Sequence, residues 1–178
     1  MSEFEIAVST LLLGFVLGQA VDFTKYRWSI YRKKKAIYDE VREICEDFKE
    51  QINRIGTILE ETNTCEVRGS VTPSAISSVI FTHHYADVAP FFTREEKAEL
   101  TAIYKCVDNF NEELSSGVRN NLASSNNSMF LLYNQCLMGE AISRYYLSHR
   151  GEKRIVDNKD EMEKIFAATQ ELSEKYHI

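Results

Sequence analysis

The sequence predicts an all-α protein: one N-terminal transmembrane helix continuing into a long stalk helix, plus a small cytoplasmic helical bundle. Three observations predict it. Residues 6–21 form an uncharged apolar run, directly followed by Lys25, Arg27, Arg32, Lys33, Lys34 and Lys35. No proline or glycine lies between Gly18 and Gly56, and 178 residues contain only 7 Gly and 2 Pro. Beyond the run, apolar residues recur at the three- and four-residue steps of helices.

The apolar run is short for a span. Sixteen helical residues cover about 24 Å against a hydrocarbon core of about 30 Å. Phe4 on one side and Phe23, Tyr26, Trp28 and Tyr31 on the other extend it at headgroup level. Local bilayer thinning absorbs the remainder. Only Ser9, Thr10 and Gln19 are polar along its length. The basic residues follow the run while only Glu3 and Glu5 precede it, so the positive-inside rule keeps the following domain in the cytoplasm. Two other readings exist. Gly18-Gln19-Ala20 has the look of a signal-peptide cleavage site, although signal peptides carry their positive charge ahead of the apolar region. A buried helix of a soluble protein is the third. The expected organisation is an anchor over 1–24, a basic-aromatic border and stalk helix over 25–62, and a cytoplasmic bundle over 63–178.

The net charge of −6 hides an asymmetry. Outside the basic border, 15 Lys and Arg stand against 27 Asp and Glu, about −12. Such a body does not coat nucleic acid nonspecifically. Lys25, Arg27, Arg32, Lys33, Lys34 and Lys35, with Trp28, instead suit anionic lipid headgroups, at about 1 kcal/mol per basic residue. Cys45, Cys65, Cys106 and Cys136 include no C-x-x-C pair and are expected as buried free thiols.

Ile37, Val41, Ile44, Phe48, Ile52, Ile55 and Leu59 form one helical stripe, so the first helix is expected to run to about residue 62. From Asp22 on, such a stalk is roughly 60 Å long. Its stripe needs partners, either the chain's own later helices or neighbouring subunits. A turn is expected over 63–71, containing Gly69. Thr72-Pro73 then predicts an N-cap and first-turn proline for a helix from 73 to about 89, with Ile76, Val79, Ile80 and His83 on one face. Thr93 and Glu96 form a capping box for a helix ending near Ser115, before Gly117, with Leu100, Ile103, Val107, Phe110 and Leu114 apolar. The Asn- and Ser-rich stretch 120–128 reads as a loop. The most apolar cytoplasmic helix follows from Met129 to about Ser148, closed by Gly151. Asn158 and Glu161 cap a last helix to about Tyr176, apolar at Met162, Ile165, Phe166, Thr169 and Leu172.

The sequence holds no phosphate-cradling Gly-rich loop, H-E-x-x-H, G-x-S-x-G or C-x-x-C, so we expect no enzyme, catalytic residue or cofactor. His83 and His84 point about 100° apart on a helix and cannot share a metal on one face. Two constellations have more content. Ala7, Thr10, Gly14, Gly18 and Asp22 fall within about 120° around the helix axis, a seam of mostly small residues suited to facing another helix. In a homo-oligomer, Asp22 and Gln19 would sit near the cytoplasmic mouth, where acidic rings favour cations. The alternative is a lone anchor with Asp22 paired in the headgroup region. The second constellation is Arg144, Tyr145, Tyr146, His149, Arg150, Lys153 and Arg154, with Arg119 as a further contributor. It suits a nucleotide or short oligonucleotide, with tyrosines stacking on bases and cations meeting phosphates. A helix end complementing its dipole is the other reading.

Thr10-Leu-Leu-Leu-Gly14-Phe-Val-Leu-Gly18 followed by Phe23-Thr-Lys-Tyr-Arg-Trp28, with the overall length, resembles the membrane effectors of bacterial anti-phage defence systems. Within them the layout is similar to the single-span effector of Hailong systems, whose partner is a nucleotidyltransferase. The resemblance is one of architecture over the whole chain. It implies an oligomeric ion-conducting effector in the bacterial inner membrane, controlled by a nucleotide or short DNA. The expected function is therefore an oligomer that gates ion leakage under control of a ligand on its bundle. A non-conducting, membrane-tethered adaptor that docks a protein partner is the competing class.

Overall fold

A computed structural model of the chain describes residues 3–64, 72–119 and 126–176, and every regular element among them is helical. The order is α1 (Glu3–Thr64), α2 (Val79–Val88), α3 (Arg94–Arg119), α4 (Asn126–His149) and α5 (Lys159–Tyr176). Short 3-10 turns at Ala89–Phe91 and Ile155–Asp157 join α2 to α3 and α4 to α5.

α1 is one helix of 62 residues. Its first part stands alone, and an apolar window of mean hydropathy 1.8 within it is wholly exposed. From Ile30 onward the same helix is part of the core. The expected stripe is buried at Ile37, Val41, Ile44, Phe48, Ile55 and Leu59 and half-buried at Ile52. Its partners are the chain's own later helices, chiefly α4. The helix read as a stalk is thus a wall of the bundle, which begins almost at the end of the apolar run.

α4 packs against both α1 and α3, which explains why it is apolar on several faces. Gly139 lets α4 approach α1, since a Cβ there would lie 2.3 Å from the Phe48 ring. Burying a ring such as Phe48 contributes about 1.5–3 kcal/mol. On α3, Leu100, Ile103, Val107, Phe110 and Leu114 are buried as their spacing predicts. The Thr93–Glu96 capping box forms: the Glu96 amide donates to Thr93 Oγ1 at 3.0 Å and the Thr93 amide to Glu96 Oε2 at 2.6 Å.

The helix expected from Pro73 does not start there. Residues 72–78 have no regular structure, and α2 begins only at Val79. Two side-chain amides take the place of helical bonding. Gln51 of α1 donates to Ser74 Oγ at 3.1 Å and accepts the Ser74 amide at 3.2 Å. Asn111 of α3 accepts the Ile76 amide at 2.9 Å and donates to its carbonyl at 2.8 Å. Ser78 offers α2 no side-chain cap. The cap comes from Glu40, buried on α1, whose two carboxylate oxygens accept the amides of Ile80 at 2.7 Å and Phe81 at 2.8 Å. Glu40 also accepts the Tyr104 hydroxyl of α3 at 2.6 Å. With this anchoring Val79 and His83 face outward, contrary to the expected face, while Phe81 turns in and stacks on Tyr104 with ring centroids 3.7 Å apart.

Two further boundaries and one helix face differ. α3 passes through Gly117 to Arg119, because an interior glycine costs a helix only about 1 kcal/mol. α4 starts at Asn126 rather than Met129. On α5, Phe166 is exposed, lying about 100° round the helix from buried Ile165. The expected cap forms, the Glu161 amide donating to Asn158 Oδ1 at 3.3 Å. The expected turn over 63–71, with Cys65, lies outside the described residues apart from the last turn of α1, as does 120–125 of the expected loop.

Cys45, Cys106 and Cys136 are free and buried. Burial pushes the thiols of Cys45 and Cys106 from 9.0 up to about 11, and Cys136 higher. Between those values the unfolded chain holds fewer protons than the folded one, so stability falls as pH rises from 9.0 to about 11 and is complete below. Denaturant titrations at pH 7, 9 and 11 should show a smaller alkaline loss in Cys106→Ala than in the parent chain. Glu40→Ala should lower the unfolding free energy by about 3 kcal/mol and Tyr104→Phe by about 1 kcal/mol. Unfolding followed by far-UV circular dichroism in micelles checks this order.

Candidate functional site

The end of α4 determines where the basic cluster goes. The His149 ring stacks on Tyr145, centroids 4.1 Å apart, and then Arg150 and Gly151 both take left-handed backbone, with φ of 51° and 72°. Glycine is required at the second position, because a Cβ there would lie 2.5 Å from Glu96 Cγ. Arg150 carries a full side chain in a conformation that costs an L-residue about 1 kcal/mol or more. This reversal brings Arg150 to α1, beside Lys34, Lys35 and Arg42.

These four cations line a cleft of about 650 Å³ whose walls include Tyr31, Tyr38, Phe92 and Tyr146, with Asp39 and Glu96 as its acids. Lys34 Nζ donates to the Phe91 carbonyl at 3.0 Å, lies 3.8 Å from Glu96 and sits 4.4 Å from the Phe92 ring centroid. Arg42 lies 3.7 Å from Asp39 and 5.5 Å over the Tyr38 ring. Lys35 and Arg150 have no ion pair or hydrogen bond among the described residues. Burial pushes the Tyr146 phenol up, so it stays neutral and can donate. The cleft is a net-positive, aromatic-walled pocket on an acidic protein, suited to an anion that also has a flat apolar part.

The structure divides the other residues expected to bind ligand. Arg144 pairs with Glu140 at 3.2 Å and Glu161 at 3.4 Å. Lys164, then Arg144, hold the Glu161 carboxyl below its usual range. Tyr145 is buried, with its ring against His149. Tyr145, Lys153 and Arg154 line a separate depression with Lys159 and with Glu95, Glu152, Asp157 and Asp160, four acids against three cations. Arg154 reaches within 3.9 Å of Glu99, a buried carboxylate that accepts the Ile155 amide at 3.1 Å. Arg119 ends α3, and its side chain lies outside the described residues. Of the clustered residues, Tyr146 and Arg150 line the cleft.

The border also divides. Lys34 and Lys35 belong to the cleft, Lys33 pairs with Asp87 at 2.6 Å, and Lys25, Arg27, Trp28 and Arg32 are exposed. Along the apolar part, Ala7, Thr10, Gly14, Gly18, Gln19 and Asp22 are all exposed, and a Cβ on Gly14 or Gly18 would meet nothing within 4 Å. The Thr10 hydroxyl donates to its own helix at Ile6 O, 2.9 Å. No group of three His, Cys, Asp or Glu among the described residues could hold a metal.

The cleft positions of Tyr31, Tyr38 and Phe92 and the capping role of Glu40 are not legible as such in the sequence, whereas Tyr146 belongs to the expected cluster. A signal existed for part of the cleft. Tyr31, Lys35, Tyr38 and Arg42 follow the i, i+4, i+7, i+11 spacing of one helix face, beside the apolar stripe. No protein-family model matches the chain, and no curated protein or solved structure matches it. Arg150→Gly should raise stability by about 1 kcal/mol by relieving the left-handed backbone, whereas Gly151→Ala should lower it. Paired melting curves of the two variants check both signs.

Proposed function

We propose that this protein is an oligomeric single-span membrane effector that gates ion leakage, controlled by a ligand in the cleft of its helical bundle. The observation that carries the reading is the continuity of α1. One half of the helix is apolar and wholly exposed, and the other half is core of the bundle and floor of the cleft. A ligand that favours one bundle arrangement therefore acts on the span without an intervening joint. The open face at Gly14 and Gly18 supports assembly, since small residues let helices approach closely in lipid. The cations on the bundle side support an inner-membrane protein with its bundle in the cytoplasm.

For the ligand, the cleft favours a nucleotide or short oligonucleotide, with phosphates on Lys35 and Arg150 and a base against a tyrosine ring. A partner nucleotidyltransferase would supply such a ligand, and a role in anti-phage defence follows from the resemblance of layout. The adaptor reading draws support from a different observation: Leu131 on α4 and Phe166 on α5 are 49% and 61% exposed, as a surface that docks a protein would be.

Expressed in bacteria, the parent chain should change the membrane potential, read with a voltage-sensitive dye, and Gly14→Leu with Gly18→Leu should abolish both that change and chemical cross-linking between copies. Replacing residues 4–24 with an unrelated span should do the same. A response that survives the span replacement would favour the adaptor.

A further inference from the structure

We propose that the groove between α1 and α2 at the membrane border is a binding site for the headgroup phosphate of an anionic phospholipid, with His84 as its second wall. The proposal rests on the α1 span proposed above. The groove, about 370 Å³, is lined by Lys25, Trp28, Ser29, Arg32 and Lys33 of α1 and by His84 of α2. Asp87 neutralises Lys33. Lys25 and Arg32 have no ion pair or hydrogen bond among the described residues, so two cations remain open to an anion.

Two features distinguish this site from a basic stretch lying on a membrane. The first is the contribution of α2, fixed at this height by Lys33–Asp87 at 2.6 Å and, through the 3-10 turn that follows it, by Tyr26 against Phe91, centroids 6.2 Å apart. The second is a shallow apolar groove along Leu17, Ala20, Val21 and Thr24, which shares Lys25 and Trp28 with the cationic one. A phosphate carrying an acyl chain fills both, whereas a free phosphate fills one. Lys25, at the membrane end of the groove, lies about 6 Å beyond Val21 along the helix, within the headgroup layer of about 5–8 Å, and Arg32, at its other end, about 16 Å beyond. α1 lines both this groove and the cleft, so occupancy of the groove bears on an element of the cleft.

Trp28 is the single tryptophan of the chain, so its fluorescence reports on the groove. Full-length protein in neutral detergent micelles is titrated with short-chain phosphatidylglycerol, short-chain phosphatidylcholine and inorganic phosphate in turn. Phosphatidylglycerol alone should give a saturable change in emission. Arg32→Gln and His84→Ala should each raise its midpoint about tenfold, the effect of losing one charge-assisted hydrogen bond. His84→Gln, which keeps an N–H donor, should recover part of the loss. An equal response to phosphatidylcholine, or saturation by inorganic phosphate, overturns the lipid assignment. An undiminished phosphatidylglycerol midpoint in His84→Ala overturns the groove and leaves only a basic helix. Vesicle co-sedimentation after an alkaline wash separates the two levels. Protein that washes off contradicts the span, while protein that stays without a phosphatidylglycerol response contradicts the groove alone.

Discussion

The bundle depends on one buried carboxylate. Glu40 projects from the middle of α1 and accepts two backbone amides of α2 and the hydroxyl of Tyr104 on α3. A carboxylate out of water is costly unless its oxygens are satisfied, and here three donors satisfy them. The arrangement also solves a local problem, because α2 starts without a side-chain cap of its own and its first amides need an acceptor. Around this point the aromatic stack of Phe81 on Tyr104 fixes α2 against α3, and the apolar stripe of α1 closes on α4 where Gly139 makes room for Phe48. The cap of α2 and the packing of α4 both return to α1.

That explains which parts of the fold were legible. The stripe from Ile37 to Leu59, the Thr93–Glu96 box and the Asn158 cap are local patterns, and local patterns survive folding when nothing distant competes. Thr72-Pro73 was an equally good local signal and failed. Gln51 and Asn111, far from it in sequence, supply amide partners to Ser74 and Ile76, so that stretch gains from side chains what a helix would have given it.

The candidate site shows the same division. Arg144 to Arg154 look like one cluster when written as a line, but the left-handed pair Arg150–Gly151 turns the chain at the end of α4. Arg144 is left against α5, Arg154 goes toward Glu99 on α3, and Arg150 joins the lysines of α1. The residues that share the cleft come from opposite ends of the sequence. Half of that assembly, the Tyr31, Lys35, Tyr38, Arg42 face, was visible as a spacing, but nothing local announced that Arg150 would meet it. Around Gly14 and Gly18, by contrast, there is no tertiary contact to alter the reading, and the small-residue face stands open as the sequence draws it.

The proposed coupling runs through the continuity of α1, since a rigid helix shared by span and bundle needs no further linkage to pass a change from one to the other. Inserting three glycines between Thr24 and Lys25 breaks that rigidity while leaving the span and the bundle core intact, glycine being among the poorest helix formers. The direct measurement compares potassium flux through liposomes holding the purified parent chain with flux through liposomes holding the insertion variant, with and without nucleotide. Flux that responds to nucleotide in the parent and is unresponsive in an equally inserted, equally stable variant is the predicted result. The same response in both, or no flux from the parent under either condition, would contradict the account.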